Sequence, residues 1–210
     1  FIERDAIDWT LRYSDIEMQI PDEVKAHLLV EVDGYDIDLL FKDCEKIANV
    51  MQRFDCGEIL LADSKSQKEQ LWKIRRLVGE AVKANSIYKE EDTVVPRAEL
   101  AKLLKGVKEI GGKYGFKTVC YGHAGDGNLH VNIIKGEMSD KDWNSKLTFG
   151  IRAIFELTKE LGGTISGEHG IGFVQKGYID IVLSKKNIEI QKGIKKLFDP
   201  NQILNPGKIF

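Results

Sequence analysis

The segment GHAGDGNLH, residues 122–130, contains two of the four histidines in this 210-residue chain. An Asp-Gly pair between two β-rich runs is typical of a two-residue hairpin turn, because both turn positions then need a positive φ. A turn at Asp126 and Gly127 predicts that His123 lies directly opposite His130, with Cβ atoms about 4.5–5.5 Å apart. Two imidazoles held in this way can share one divalent metal ion. The same pattern also fits two histidines that only pack against each other.

This register has a consequence for the neighbouring residues. It predicts that Tyr121 and Asn132 lie on the same face of the hairpin as the two histidines. Both side chains could then support a metal ligand or contact a bound molecule. The prediction depends on a tight turn, because an irregular loop would shift the register.

A second glycine-rich segment, GGTISGEHGIG at residues 162–172, contains a third histidine. Its adjacent Glu168 and His169 lie between glycines, and a helix C-cap explains only Gly162 and Gly163. A carboxylate suits a third metal ligand, and an imidazole suits a proton acceptor. Two histidines and one carboxylate leave coordination positions open, as catalytic zinc sites do. The two segments together therefore indicate a catalytic metal centre.

Arg75 lies where an apolar residue is expected. The helix predicted over residues 64–85 has an apolar stripe formed by Leu71, Ile74, Val78 and Val82. Arg75 lies within that stripe, and a charged group that faces inward needs a partner. Its guanidinium matches a carboxylate, so an internal ion pair and a clamp for a substrate carboxylate both remain open. Lys89 could add a second cation, although a solvated charge run explains the segment KEED equally well.

The elements that must position these residues follow from apolar periodicity. Helical spacing occurs in ERDAIDWTLRYS, YDIDLLFKDCEKIANVMQRF, residues 64–85, RAELAKLLKGVKEIGGKYG, DKDWNSKLTFGIRAIFELTKELGG and residues 184–198. Strand-like runs are HLLVEVDG, GEILLAD, DTVVP, FKTVCYGH and NLHVNIIKG. This order predicts an α+β fold: a mostly antiparallel sheet with helices packed on one side, in a ferredoxin-like arrangement that is either single or duplicated. No boundary is indicated, so residues 1–210 are expected to form one domain.

Composition excludes several classes of protein. The net charge is −2, and no basic stripe is present that could neutralise nucleic-acid phosphates. No apolar run approaches the roughly 20 residues that a membrane-spanning helix needs. Three scattered cysteines without a C-x-x-C pair are typical of a cytoplasmic protein. The chain begins at Phe1 rather than Met, which suggests a fragment of a longer protein.

Four motifs together resemble those of a known family. They are LWKIR (71–75), GHAGDGNLHVN (122–132), GGTISGEHGIG (162–172) and LFDPNQILNPGKIF (197–210). The chain resembles, along its whole length, the C-terminal substrate-binding cap domain of FAD-linked oxidases of the vanillyl-alcohol-oxidase type. Within that family the similarity is to the D-2-hydroxyacid branch, which includes glycolate oxidase, D-lactate dehydrogenase and D-2-hydroxyglutarate dehydrogenase.

The resemblance implies a role for each chemical group. His123, His130 and Glu168 would hold a divalent metal, usually zinc, that orients the hydroxyl and carboxylate of a small 2-hydroxy acid. His169 would be the base that takes the hydroxyl proton as hydride leaves for the flavin.

The resemblance also implies ligands for the substrate and the cofactor. Arg75 and Asn132, with Lys89 as a weaker match, would bind the substrate. Asn205 in the tail 197–210 would lie near the FAD. The FAD itself would be bound mainly by an N-terminal domain of the same protein, and electrons would pass to a partner such as an iron–sulfur subunit or an electron-transferring flavoprotein. The chain alone is then expected to bind little FAD and to be inactive.

Two other functions are compatible with the same residues. A metal-dependent hydrolase could use two histidines and one glutamate to activate water. A non-catalytic module could bind the metal structurally or not at all.

Overall fold

The structure, a computed structural model, describes residues 1–16, 18–54 and 56–210. These residues form two compact units, Phe1–Ala81 and Val82–Phe210. The sequence patterns contain no boundary at this position. Helices in the described ranges include none that is long and apolar enough to cross a membrane.

The first unit is mainly helical. Its two short strands pair antiparallel, with Ile2 opposite His27. The carboxylate of Asp36 caps the second helix by accepting the N–H groups of Asp38 and Leu39. Its elements are β1 (Ile2–Glu3), α1 (Arg4–Arg12), β2 (Ala26–His27), α2 (Ile37–Met51), a 3₁₀ turn (Gln52–Phe54) and most of α3 (Lys65–Asn85).

Two strands predicted for the first unit are wrong. The run HLLVEVDG is strand only at His27, and GEILLAD contains no strand in its residues 57–63. Leu28, Leu60 and Leu61 are all exposed, each by more than half. An apolar run becomes a strand only where another strand offers backbone hydrogen-bond partners, and residues 28–34 and 57–63 belong to no strand of the described structure.

The second unit contains a three-stranded antiparallel sheet in which β5 lies between β4 and β3. Helices α4 and α5 pack against each other and contact these strands. The α+β class with an antiparallel sheet is therefore confirmed. The elements are β3 (Tyr88–Val94), a 3₁₀ turn (Arg97–Glu99), α4 (Leu100–Tyr114), β4 (Lys117–His123), β5 (Asn128–Ile134), α5 (Asp140–Glu160), a 3₁₀ turn (Lys176–Tyr178), α6 (Ile179–Val182) and α7 (Lys185–Phe198).

The two faces of this sheet differ in composition because successive residues of a strand point to opposite sides. One face, here called the core face, carries Leu129, Val131 and Ile133, all fully buried. The other, here called the histidine face, carries polar side chains from all three strands. The polar residues on this face include Glu90, Asp92, Tyr121, His123, Asn128, His130 and Asn132.

Local signals fix the helix ends. Ser139 caps α5 by accepting the N–H of Asp142 at 3.1 Å. Ser184 caps α7 in the same way, and α4 ends at Gly115 with φ of 84°. These are the residues that sequence rules select for helix ends. The helices predicted in the second unit are accordingly confirmed.

Candidate active site

The hairpin that carries two histidines has a longer loop than the sequence predicts. His123 pairs with Asn128, and Tyr121 pairs with His130. The loop therefore has four residues, 124–127, and the prediction that His123 lies directly opposite His130 is wrong. Of these loop residues only Gly127 has a positive φ, 75°.

The last residue of the longer loop makes a contact outside the hairpin. The N–H of Val95 donates to the carbonyl of Gly127 at 3.0 Å. A Cβ on Gly127 would collide with the carbonyl of Val95. The glycine is needed for this close approach as well as for its φ, and the Asp-Gly pair is not the two-residue turn that the sequence predicts.

The two histidines nevertheless lie on the same face, as diagonal neighbours. Their ring centroids are 5.9 Å apart and the rings are nearly perpendicular. The ring of Tyr121 lies 5.2 Å from that of His130. His130 is buried, whereas 44% of the His123 side chain is exposed. The pair therefore has one fixed member and one that solvent can reach.

The Glu-His segment comes to this pair from the other glycine-rich stretch. The Oε1 atom of Glu168 lies 3.5 Å from Nε2 of His123. The ring of His169 stacks on that of His130, with centroids 5.5 Å apart. Both side chains are exposed, so a ligand could approach them. Four side chains from two separate motifs thus form one cluster.

The cluster fits a divalent cation. One ligand atom each from His123, His130 and Glu168 lies within 4.8 Å of the others. The donors are imidazole nitrogens and a carboxylate oxygen, which suit zinc. A second set that meets the same distance criterion contains Glu90, His130 and His169.

Sequence reasoning missed Glu90, because the run KEED resembles a solvated charge run. In the sheet Glu90 pairs with Asn132, which places it on the histidine face. Alternation along β3 was the available signal, since Glu90 and Asp92 share a face only if this segment is a strand. The predicted strand DTVVP begins at Asp92 and so excludes Glu90.

Asp92 is the second residue that sequence reasoning missed. Its Oδ2 accepts the backbone N–H groups of Glu168 and His169 at 2.7 and 2.8 Å. Its Oδ1 accepts the amide of Asn128 at 2.6 Å. Burial alone would raise the pKa of Asp92, but these donors together hold it below its ordinary value.

Asn132 and Lys89 differ in their relation to the cluster. Asn132 is buried on the histidine face and donates to the carbonyl of Val119 at 3.2 Å. Lys89 lies on the core face, where its Nζ is 3.0 Å from Oε1 of Glu91. The structure does not bring Lys89 to the histidine cluster, because adjacent strand residues point to opposite sides.

Two further predicted residues belong to a helix and to the C-terminal tail. Arg75 belongs to α3 in the first unit, where it is half-buried beside Ile74 and Val78. The predicted apolar stripe is confirmed, since both neighbours are buried. Asn205 lies in the C-terminal tail with φ of 46°, and its carbonyl accepts the N–H of Lys208.

The fold and the cluster define an α+β domain with a histidine–carboxylate site. The sequence model of the family described as "FAD linked oxidases, C-terminal domain" matches residues 1–209, and the chain belongs to that family.

Three curated relatives are similar over most of this chain. Glycolate oxidase subunit GlcD of Bacillus subtilis is 37% identical over 91% of the chain and 40% of its own length. D-lactate dehydrogenase of Anaerostipes hadrus is 34% identical over 89% of the chain and 40% of its own length. D-2-hydroxyglutarate dehydrogenase of Stutzerimonas stutzeri is 38% identical over 72% of the chain and 33% of its own length. The chain thus spans at most 40% of each of these proteins.

A solved structure confirms the fold class. The complex of 4-ethylphenol oxidase from Gulosibacter chungangensis with isoeugenol superposes with a TM-score of 0.51, over 83% of this chain and 37% of that one. The sequence identity is 15%, so this likeness concerns the fold alone.

Proposed function

We propose that this chain is the substrate- and metal-binding part of a flavin-dependent oxidoreductase that converts a 2-hydroxy acid to the 2-oxo acid by hydride transfer to FAD. The observation that carries the proposal is the convergence of His123, His130, Glu168 and His169 on one face of the sheet. The names of the relatives support the substrate class, because glycolate, lactate and 2-hydroxyglutarate are all 2-hydroxy acids.

His123, His130 and Glu168 would hold the divalent cation, for which zinc is the best match to the donors. A bound cation lowers the pKa of a coordinated hydroxyl group and fixes the orientation of the molecule that carries it. A cation held by these three residues would keep room for an oxygen of a 2-hydroxy acid.

His169 would accept the hydroxyl proton on an imidazole nitrogen. The His169 ring stacks on the ring of His130, and His169 directly follows Glu168 in the chain. A hydroxyl group held by the cluster would therefore lie close to the His169 imidazole. FAD, when bound, supplies the redox chemistry. The work of this chain is therefore to bind and orient the substrate and to hold its proton.

Further residues complete the proposal. Asn132 would help to place the substrate, because its buried amide lies on the histidine face. Arg75 is proposed as a ligand of the substrate carboxylate on the chemistry of its guanidinium and on the motif LWKIR alone. Asn205 is proposed as a neighbour of the flavin on the resemblance of the tail alone. Lys89 is left out because its ammonium group lies on the core face.

The proposal extends to partners and location. FAD would be bound mainly by a further domain, so we expect the chain alone to carry much less than one equivalent of flavin. The electron acceptor would be oxygen, a quinone, an iron–sulfur subunit or an electron-transferring flavoprotein, and the protein would act in the cytoplasm. These parts rest on the resemblance and on cysteine usage. A purified chain with stoichiometric FAD would contradict the first of them.

The direct test of the reaction uses the full-length flavoprotein that contains this chain. Anaerobic mixing with glycolate, D-lactate or D-2-hydroxyglutarate should bleach the flavin absorbance, and the analogues that lack the 2-hydroxyl should not. Dialysis against a chelator should slow the reduction, and added zinc should restore it. The absence of reduction by all three acids would overturn the proposal. Hydrolase activity in a flavin-free preparation would favour the metal-dependent hydrolase instead.

The test of the metal is elemental mass spectrometry on the dialysed protein and two variants. The parent and His27→Ala, which changes a histidine of the first unit, should each hold about one equivalent of metal. His130→Ala should hold almost none. A parent without metal would mean that the two histidines only pack or that the substrate completes the site. Metal without oxidation or hydrolysis would favour a binding module.

A further inference from the structure

The Glu168–His169 segment needs an external anchor. Gly167 and Gly170 flank it, and glycine gives a backbone more conformational freedom than any other residue. Both functional side chains are exposed, so packing alone does not hold them. A metal ligand and a base must nevertheless be placed to within a fraction of an ångström.

Asp92 supplies such an anchor. One oxygen of its carboxylate accepts the N–H groups of both Glu168 and His169, at 2.7 and 2.8 Å. Asp92 is 1% exposed and lies on β3 directly opposite His130. Hydrogen bonds from backbone N–H to a carboxylate are among the stronger ones in proteins. The strand that faces His130 is thus joined to the segment that carries His169.

Asn128 fixes the other oxygen of the same carboxylate. Its Nδ2 donates to Oδ1 of Asp92 at 2.6 Å and to the carbonyl of Thr93 at 3.2 Å. A Cβ on Gly167 would overlap Nδ2 of Asn128 and come within 3.1 Å of Oδ1 of Asp92. The glycine therefore lets the segment lie directly on the Asp92–Asn128 pair.

We infer that Asp92, held by Asn128, is a positioning residue that fixes the backbone of Glu168 and His169 for their roles in the proposed function, on which this inference rests. Asp92 acts through these two residues and does not touch the substrate. Its Oδ1 lies 3.8 Å from Nδ1 of His130, which is beyond hydrogen-bond distance.

A charge-swapped pair tests this inference in the full-length holoenzyme. In Asp92→Asn the new amide faces the amide of Asn128, so two donors oppose each other. In Asn128→Asp two carboxylates oppose each other. The double variant Asp92→Asn/Asn128→Asp restores a donor–acceptor pair and leaves an amide oxygen to accept from Glu168 and His169. Asp126→Asn, in the exposed hairpin loop, is the matched control for removal of a carboxylate.

Displacement of a catalytic group by about 1 Å can cost about 100-fold in rate, so each single variant should lower kcat by about that factor. Flavin content should stay at the parent's value, and the double variant should recover at least about a tenth of the parent kcat. A double variant as slow as Asp92→Asn, or an Asp92→Asn variant as fast as the parent, would overturn the inference. A merely structural loss would lower flavin content together with kcat.

A second readout does not depend on activity. Hydrogen–deuterium exchange should be faster at the amides of Glu168 and His169 in Asp92→Asn than in the parent, and slower again in the double variant. Unchanged exchange in Asp92→Asn would overturn the inference even if no 2-hydroxy acid is oxidised. A parent that oxidises no 2-hydroxy acid, combined with the expected exchange pattern, would overturn the proposed function and support the anchor.

Discussion

Glu91 and Asp92 are adjacent carboxylates on β3 with the same exposure, 1%, yet they lie on opposite faces of the sheet. Burial raises the pKa of Glu91, and the nearby Lys89 and the amide of Gln175 offset this only in part. Asp92 experiences the same kind of burial, but two backbone N–H groups and Asn128 bring its pKa below the ordinary value.

The difference between the two carboxylates shows that a buried charge has a different consequence on each face of the sheet. On the core face a buried charge is a cost that one lysine and one amide partly offset. On the histidine face the charge is used, because it binds the backbone of the segment that carries Glu168 and His169. Substitutions on the histidine face should therefore change activity, whereas those on the core face should leave activity unchanged.

The largest expected effect is on the histidine face. His169→Gln removes the proposed base, so the rate of flavin reduction by a 2-hydroxy acid should fall about 10²–10⁴-fold. The midpoint of thermal unfolding should not change, since the side chain is exposed. Stopped-flow reduction and a thermal melt measure the two quantities. A fall in the rate of less than threefold would remove His169 from the mechanism.

Replacement of Asp92 and Glu91 by their amides compares the contribution of each buried carboxylate to stability. Asp92→Asn should lower the free energy of unfolding by about 1–3 kcal/mol, because it places two donors face to face in a buried site. Glu91→Gln should cost less than about 1 kcal/mol, because it keeps the shape and removes a buried charge. Urea unfolding of both variants measures the difference. A larger loss of stability in Glu91→Gln than in Asp92→Asn would contradict the proposed difference between the two carboxylates.

The pH dependence of stability should differ in the same way. Because the pKa of Glu91 is raised in the folded state, that state holds the proton more tightly than the unfolded state does. The parent should therefore lose stability relative to Glu91→Gln as the pH rises from the unfolded value of about 4.3. Unfolding free energies between pH 4 and 8, in the presence of a chelator, test the sign. If the difference in unfolding free energy between the parent and Glu91→Gln does not change with pH, burial does not raise the pKa of Glu91.

The smallest expected effect on activity concerns Lys89. Lys89→Gln removes the cation beside the fully buried carboxylate of Glu91, so it should lower the free energy of unfolding by about 1–3 kcal/mol. The KM for the 2-hydroxy acid should not change, because Lys89 lies on the core face. Steady-state kinetics measure the KM, and urea unfolding measures the change in stability. A large rise in KM would return Lys89 to the substrate site.

Sequence by itself determined the parts of this protein that depend on local interactions. The helices over 65–85, 140–160 and 185–198 follow from apolar spacing and from serine caps, which act within a few residues. The residues with chemical function could also be identified, because His123, His130, Glu168 and His169 stand out by type and by their glycine-rich surroundings. The family membership follows from the same motifs.

Tertiary structure alone decided which of these residues meet and how. The hairpin loop has four residues, and its last residue, Gly127, lies against Val95, a contact that no local signal encodes. The runs HLLVEVDG and GEILLAD have strand-like composition, but a strand forms only where a partner offers hydrogen bonds.

The face that each residue of KEED occupies was decided in the same way. It depends on where β3 begins and on its pairing with β5. Asp92 acquires its role only because the chain returns 76 residues later to place the backbone of Glu168 against it. Such long-range hydrogen bonds join residues whose types look ordinary in the sequence, and for this reason the anchor of the site appears only in the folded protein.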